Sequence, residues 1–245
     1  MDISVVIPAH NEESLLAGCL EALSAAAEAS EATVEVIVVA NRCTDRTVDI
    51  ADDAGAVVVE NSARNIAAVR NAGAGVAAGD AIVTVDADCL VDPATLTEVR
   101  RLLNSGQYVG GGTKVIPERS SPGINATYAL MELLVGATRL GGGAFWCHRS
   151  DFEAIGGFDE SLLLGEDLDF ARRLRAHGRK TDRRFTNIRT APVVASCRKF
   201  DRYGDWHMFA MALQLREIRA ALKGTDPAWV DRYFFDFNAG TDRRD

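Results

Sequence analysis

The sequence has no basic excess, no paired cysteines and no long apolar run, and each absence closes off a class of protein. Its formal net charge is −8, whereas wholesale nucleic-acid binding needs a basic footprint. Its five cysteines, Cys19, Cys43, Cys89, Cys147 and Cys197, stand singly with no C-x-x-C pair. That pattern argues against a disulfide framework and structural zinc, and free thiols fit a reducing cytoplasm. No apolar run reaches the ~18 residues that would suggest a membrane span, and Met1-Asp2 leads straight into an apolar segment, so no signal peptide is read. A G-x-S-x-G elbow and a Ser-His-Asp order are missing, as are internal repeats, low-complexity tracts and linkers. Prolines number only six.

What is present is ordinary globular material, 47% hydrophobic and 25% charged over 245 residues, enough for one large domain or two small ones. The first hundred residues alternate strand and helix. ISVVIP (3–8), EVIVVA (35–40), AVVVE (56–60) and AIVTV (81–85) read as short buried strands. Asn11 is placed to cap a helix running to about Ala29, with Glu12 and Glu13 at its positive end. Thr44 or Asp45 opens a second helix, ending near Gly55. Residues 65–79 read as a Gly-rich helix that packs closely or breaks. Asp92 and Pro93 start another helix. Continuous apolar strands between helices imply a parallel sheet covered on both faces, with ligands at the carboxyl ends of its strands. Three polar clusters fall there: Pro8-Ala9-His10-Asn11, Asn41-Arg42-Cys43 and Asp86-Ala87-Asp88.

The second half is less regular. Residues 107–117 read as a strand, 122–137 as a helix, and 140–149 as a Gly-rich approach to a short strand. A short helix follows around Phe152–Ile155. Another runs from Glu166 to Gly178, and residues 205–223 have amphipathic spacing. Between Arg172 and Arg189 stand eight Lys/Arg against one acid, Asp182. This basic run is either a solvated helix face and loop or a patch for phosphates or anionic headgroups.

Asp86 and Asp88 admit three readings: a helix cap, a metal site or a catalytic carboxylate. The cap is weak because Asp92 serves the next helix. If extended backbone persists past Val85, both carboxylates share a face and reach one hard cation, Mg²⁺ or Mn²⁺. Glu166-Asp167 opens a helix, where acids favour the dipole; the alternative is a general base for an attacking hydroxyl. His177 precedes Gly178 at a helix end, His10 lies on the ligand rim, and His207 is either a packing residue or a third metal ligand.

The runs VVIPAHNEESLL, VVANRCTDRT, AAVRNAG, AIVTVDADC, GGGAFWCHRSDFEAIGGFDE and GEDLDFARRLRAHG, in that order over about residues 1–180, resemble a family-2 glycosyltransferase of GT-A fold. The resemblance implies a Rossmann-like α/β domain over 1–200, with a mostly parallel central sheet and helices on both faces. Residues 1–110 would form its nucleotide-binding half and 111–200 its acceptor half, with 201–245 a helical extension packed on the same domain. It implies an inverting, nucleotide-sugar-dependent, hexosyltransferase-like enzyme using Mg²⁺ or Mn²⁺. By the same resemblance Pro8, Ala9, His10, Asn11 and Glu12 begin the nucleotide pocket. Asn41 contacts the base, Arg70 is the pocket cation, Asp86 faces the ribose and Asp88 holds the metal. Asp167 is the catalytic base; Glu166, Gly142, Gly143 and Trp146 lie near the donor sugar and acceptor; Arg198 and Lys199 contact the diphosphate. His10 stands where an aromatic is common, and Ala40-Asn41-Arg42-Cys43 where Asp-Asp-Gly-Ser is common; both departures touch base recognition. The Q-x-x-R-W motif of processive polymerases is absent, so transfer of a single sugar is expected.

The expected partners are thus a nucleotide-diphosphate sugar and a hydroxyl acceptor, whether small molecule, glycan or lipid-linked. No nucleic acid is expected. The basic run and the late helix suit peripheral contact with the inner membrane face or a homodimer. The rival readings are a D-x-D phosphatase or phosphotransferase with Asp86 as nucleophile, a glycoside hydrolase using Asp88 and Asp167, and a non-catalytic nucleotide-sugar sensor.

Overall fold

The computed structural model describes residues 1–138 and 140–212. Strand and helix alternate through β1 (Ile3–Ala9), α1 (Leu16–Ser30), β2 (Val34–Asn41), α2 (Thr47–Asp53), β3 (Val57–Asn61), α3 (Ile66–Val76) and β4 (Ala81–Thr84). There follow β5 (Cys89–Val91), α4 (Thr95–Asn104), β6 (Tyr108–Pro117), α5 (Pro122–Thr138), β7 (Phe145–His148) and α6 (Arg149–Ala154). The described residues end with α7 (Glu166–Lys180), β8 (Arg184–Ala195), α8 (Arg198–Tyr203) and α9 (His207–Ala212). One sheet carries all eight strands in the order β3-β2-β1-β4-β7-β6-β8-β5.

β1 is buried at every position because helices cover both faces of the sheet. Ile3, Val5, Ile7 and Ala9 meet α1 and α4, while Val6 points the other way, toward α3 and α7. α3 is unbroken, and close packing explains its glycines: a Cβ on Gly73 would lie 2.5 Å from Val6 Cγ1 and 2.7 Å from Val39 Cγ2. The two strands flanking β1 run parallel to it, as does β3 to β2.

Parallel order does not extend through the whole sheet. β7 pairs antiparallel with both β4 and β6, and β5 antiparallel with β8, while β6 and β8 are parallel. The physical reason is that β7 starts at the rim where β4 ends, with Thr84 opposite Phe145. Two strands escaped the periodicity. β5 is only three residues long, and β8 mixes Arg, Asn and Pro192 into a strand whose register against β6 shifts between Thr113 and Val115. The loop half of the basic run is therefore a strand.

Helix starts also shift. α1 begins at Leu16 with Leu15 as its cap, not at Asn11, which adopts φ 53° and accepts a bond from Thr44 N at 2.8 Å. Asp45 Oδ1 accepts from Thr47 N at 3.0 Å and Asp92 Oδ1 from Ala94 N at 2.8 Å. Each acid thus binds the turn that leads into its helix, while the caps themselves are Arg46 and Ala94. The amphipathic stretch 205–223 is described only as far as α9; the rest, and most of the expected extension, lies outside the described residues.

Candidate active site

A cleft of about 240 Å³ opens at the carboxyl ends of β1, β2 and β4, lined by Pro8, Ala9, His10, Glu12, Asn41, Arg70, Asp86, Asp88, Glu166, Asp167, Arg198 and Lys199, with Ile66, Val69 and Ala87. Strand ends deliver the first group because a parallel sheet points its carboxyl ends to one rim. Glu166 and Asp167 arrive on the first turn of α7, after Gly165 reverses the chain at φ 81°. That turn holds them at a positive helix end.

Arg70 stands at the centre. Its Nη1 donates to Glu166 Oε1 at 3.0 Å and Asp167 Oδ1 at 2.7 Å, and its Nη2 to Asp86 Oδ1 at 2.9 Å. Burial works against the charge of Arg70, but Asp167, Asp86 and Glu166 more than offset it and raise its pKa. Asp167 has 44% of its side chain open to the cleft, yet it stands on a floor crowded by protein. Desolvation is the largest cause pushing its carboxyl up to about 7; Arg70 opposes this, and Glu166 and Asp86 reinforce it.

A second guanidinium faces it. Arg198 donates to both Glu12 oxygens at 2.6 Å and lies 3.1 Å from Asp88 Oδ2. The β5–β8 pairing brings it there: Cys89 faces Ala195, and Ser196 N donates to Asp88 O at 3.1 Å. Lys199 sits beside it with its pKa lowered, burial being the main cause, Asp88 opposing and Arg198 adding.

Asp86 and Asp88 converge by a different route from the extended backbone expected of them. Residues 86–89 form a turn closed by Cys89 N donating to Asp86 O at 3.0 Å. Donor atoms of Asp86, Asp88 and Cys89 then all lie within 4.8 Å of one another. The carboxylate oxygens of Asp86 and Asp88 in that group are hard donors, which suit Mg²⁺ or Mn²⁺.

Other expected residues are placed differently. His10 Nδ1 lies 2.6 Å from Asn41 O; a carbonyl only accepts, so Nδ1 carries the proton. The Asn41 amide donates to Asn61 and to Ala63 O, tying β2 to the 61–63 loop. Asn11 ties the rim to Thr44 and is not among the cleft-lining residues. Trp146 does not face the cleft: it is fully buried in the core with Nε1 donating to Gly112 O at 3.0 Å. It stands beside Val83 on the sheet face that α4 covers with Leu96 and Leu103. Gly142 accepts from Thr113 N at 3.2 Å, and Gly143 turns at φ 80°; neither lines the cleft.

The histidines away from the rim pack. His177 Nε2 meets Asp151 at 3.0 Å, where Arg183 also donates to both carboxylate oxygens, so His177 has a partner beyond the helix dipole. His207 stacks edge-on to Phe200 at 4.7 Å with Nδ1 bonded to Gly204 O, and it is not part of the Asp86–Asp88–Cys89 group. Much of the basic run is internally partnered: Arg172 and Arg173 by Asp169, Arg183 by Asp151, Arg189 by Glu132, and Arg175 by Thr138 O.

The model of Glycosyl transferase family 2 matches residues 4–138, from β1 to the end of α5. The chain belongs to this family. A curated relative, the low-salt glycan biosynthesis hexosyltransferase Agl6 of Haloferax volcanii, is 38% identical over 104 residues. That match spans 42% of this chain and a quarter (25%) of the relative. The solved structure of residues 1–349 of S. aureus TarS superposes with a TM-score of 0.63 at 17% identity, covering 99% of this chain and 73% of that one. Glucosyl-3-phosphoglycerate synthase of Mycobacterium tuberculosis, solved with Mn²⁺, UDP and glucosyl-3-phosphoglycerate, gives 0.52 at 19% identity over 78% of this chain and 71% of that one. At such identities the structures show a shared GT-A fold. No helix among the described residues is long and apolar enough to cross a membrane.

The Glu12–Arg198 pair and the Cys89 donor had no sequence signal. Glu12 and Arg198 are 186 positions apart, and a cysteine after D-x-D has no spacing rule attached to it.

Proposed function

We propose that this chain is an inverting glycosyltransferase that moves one sugar from a nucleotide-diphosphate sugar to an acceptor hydroxyl. The observation that carries the reading is the cleft floor, where the D-x-D turn and the Glu166-Asp167 pair meet through the single guanidinium of Arg70. The acceptor oxygen forms its bond to the anomeric carbon as the bond to the diphosphate oxygen breaks. That electron pair leaves with the diphosphate, and the acceptor proton passes to Asp167. A carboxylate held near 7 is matched to this work, since a base is most useful when its pKa lies near the operating pH.

Asp88, with Asp86, would hold Mg²⁺ or Mn²⁺. A dication there supplies neutralisation of the charge developing on the leaving diphosphate. Arg198 and Lys199 stand beside Asp88 to take the same phosphates. Arg70 orients Asp167 and keeps it from drifting to a higher pKa. Solved relatives named as complexes with UDP-GlcNAc and with UDP and Mn²⁺ support a uridine donor, while His10 and Asn41 alter the part of the pocket that reads the base.

Asp167→Asn is the direct test. It should retain nucleotide binding and lose about 10²–10⁴-fold in kcat; full activity would sink the assignment. Thermal shifts across UDP-, GDP- and dTDP-sugars, with and without Mn²⁺, identify the base. No stabilisation by any donor under any metal would overturn the reading.

A further inference from the structure

We propose that Asn71 is a positioning residue for the transfer step: through the loop before α7 it holds Asp167 in register with Arg70. This rests on the base role given above to Asp167. Glu166 and Asp167 open α7, whereas Arg70 stands on α3. The segment 156–165 leads into α7, and α3 grips it with two asparagines. Asn65 caps α3, accepting from Ala67 N at 2.7 Å, and its Nδ2 donates to Glu160 O at 2.7 Å and Leu162 O at 3.0 Å. Asn71 follows Arg70 directly. Its Oδ1 accepts from Phe158 N at 2.9 Å, and its Nδ2 donates to Phe158 O at 2.9 Å and Glu160 Oε1 at 2.9 Å.

An amide suits this grip because it both donates and accepts. Asn71 meets Phe158 as a neighbouring strand would, its N–H to the carbonyl and its oxygen to the amide. A carboxylate has no donor for Phe158 O, and an alanine reaches neither group. Gly157 lets the loop come this close: it turns at φ 66°, and a Cβ on it would lie 2.6 Å from Asn71 Oδ1. Holding Phe158 then places the charges. Its ring stacks on Phe170 of α7 at 4.2 Å and lies 5.2 Å from Arg70 Cζ, a favourable seat for a guanidinium. Arg173 of α7 takes the other side of the turn, donating to Ile155 O at 2.8 Å and Gly157 O at 2.7 Å. The loop is thus pinned to both helices, and the 2.7 Å contact of Arg70 with Asp167 is made between them. Neither Asn71 nor Phe158 lines the cleft, so Asn71 acts on the reaction only through the groups it places.

The test is a double-mutant cycle on the full chain. The probe is whichever of the UDP-, GDP- and dTDP-sugars stabilises the chain most with Mn²⁺. Its affinity is measured by titration, and its turnover by release of the nucleoside diphosphate with water standing in for the acceptor hydroxyl. Asn71→Ala should lower turnover about ten- to a hundredfold, the scale of a misplaced catalytic group, and leave affinity for the probe unchanged. In the Asp167→Asn background no carboxylate remains to be placed, so the same change should cost less than about threefold. A loss of equal size in both backgrounds means that Asn71 only supports the fold, and it overturns the proposal. So does unchanged turnover in Asn71→Ala, or an affinity that falls as far as the turnover. If Asn71→Ala loses its cooperative thermal transition, Asn71→Ser, a smaller cut, takes its place in the same cycle and is judged by the same outcomes. Full activity in Asp167→Asn sinks the base assignment. An impaired Asp167→Asn chain in which Asn71→Ala still costs its full share sinks only the role of Asn71.

Discussion

Arg70 and Arg198 solve one problem from opposite sides. Arg70 comes from α3 in the first half of the chain and holds Glu166 and Asp167 of the second half, together with Asp86. Arg198 comes from α8 in the second half and holds Glu12 and Asp88 of the first. Each guanidinium stitches the cleft across the seam, but their surroundings differ. The Arg70 side chain is 6% accessible and the Arg198 side chain 24%. A charge sealed among acids is costly to unpair, whereas one nearer solvent is cheaper to move. The difference fits the roles proposed above, with Arg70 fixed in place to orient Asp167 and Arg198 open enough to meet a phosphate.

The largest expected effect is therefore at Arg70. Arg70→Met leaves Glu166, 11% accessible, with a buried uncompensated charge, and stability should fall by about 3–5 kcal/mol. The more open Asp86 and Asp167 add less because water screens them. Denaturant unfolding measures this; a loss below about 1 kcal/mol, the scale of a surface pair, would erase the contrast between the two arginines. Arg198→Ala comes next, removing two charge-assisted hydrogen bonds from Glu12 at about 1–3 kcal/mol, with the larger consequence expected in KM for the donor. Equal losses in kcat at unchanged KM would reassign Arg198 from ground-state phosphate binding to the transition state.

Smaller effects sharpen the picture. In the profile of kcat/KM, activity should rise with pH and level off above about 7, because the base must be ionised and Asp167 is pushed up to about 7. Arg70 pulls that value down, so in any folded Arg70 variant the limb should move to higher pH; movement to lower pH would contradict the electrostatics. Glu12→Gln keeps the shape and removes one charge, and should cost on the order of 1 kcal/mol, visible as a small drop in Tm and a weaker salt dependence of donor binding.

Legibility in the sequence divides along the same seam. The strands of β1, β2 and β4 are continuous apolar runs covered on both faces, so their carboxyl ends, and with them His10, Asn41, Asp86 and Asp88, could be placed from pattern alone. Glu166-Asp167 was legible as a helix start with two possible meanings. β8 was not legible, because a strand carrying Arg184, Asn187, Arg189 and Pro192 has no apolar alternation to announce it. Trp146 was placed near the donor sugar and acceptor by the family resemblance alone, and only the packing of the sheet face against α4 shows that its indole is sealed in the core.

By itself the sequence determined the α/β architecture of the first hundred residues, the rim on which its acids stand and the family signature, since these depend on local periodicity and short motifs. Tertiary structure decided which charges meet. Arg70 lies 96 positions from Glu166 and Arg198 lies 186 from Glu12, and no local preference encodes such a contact. It arises because sheet pairing sets the separate loops on one rim, where unpaired buried charge is too costly to leave.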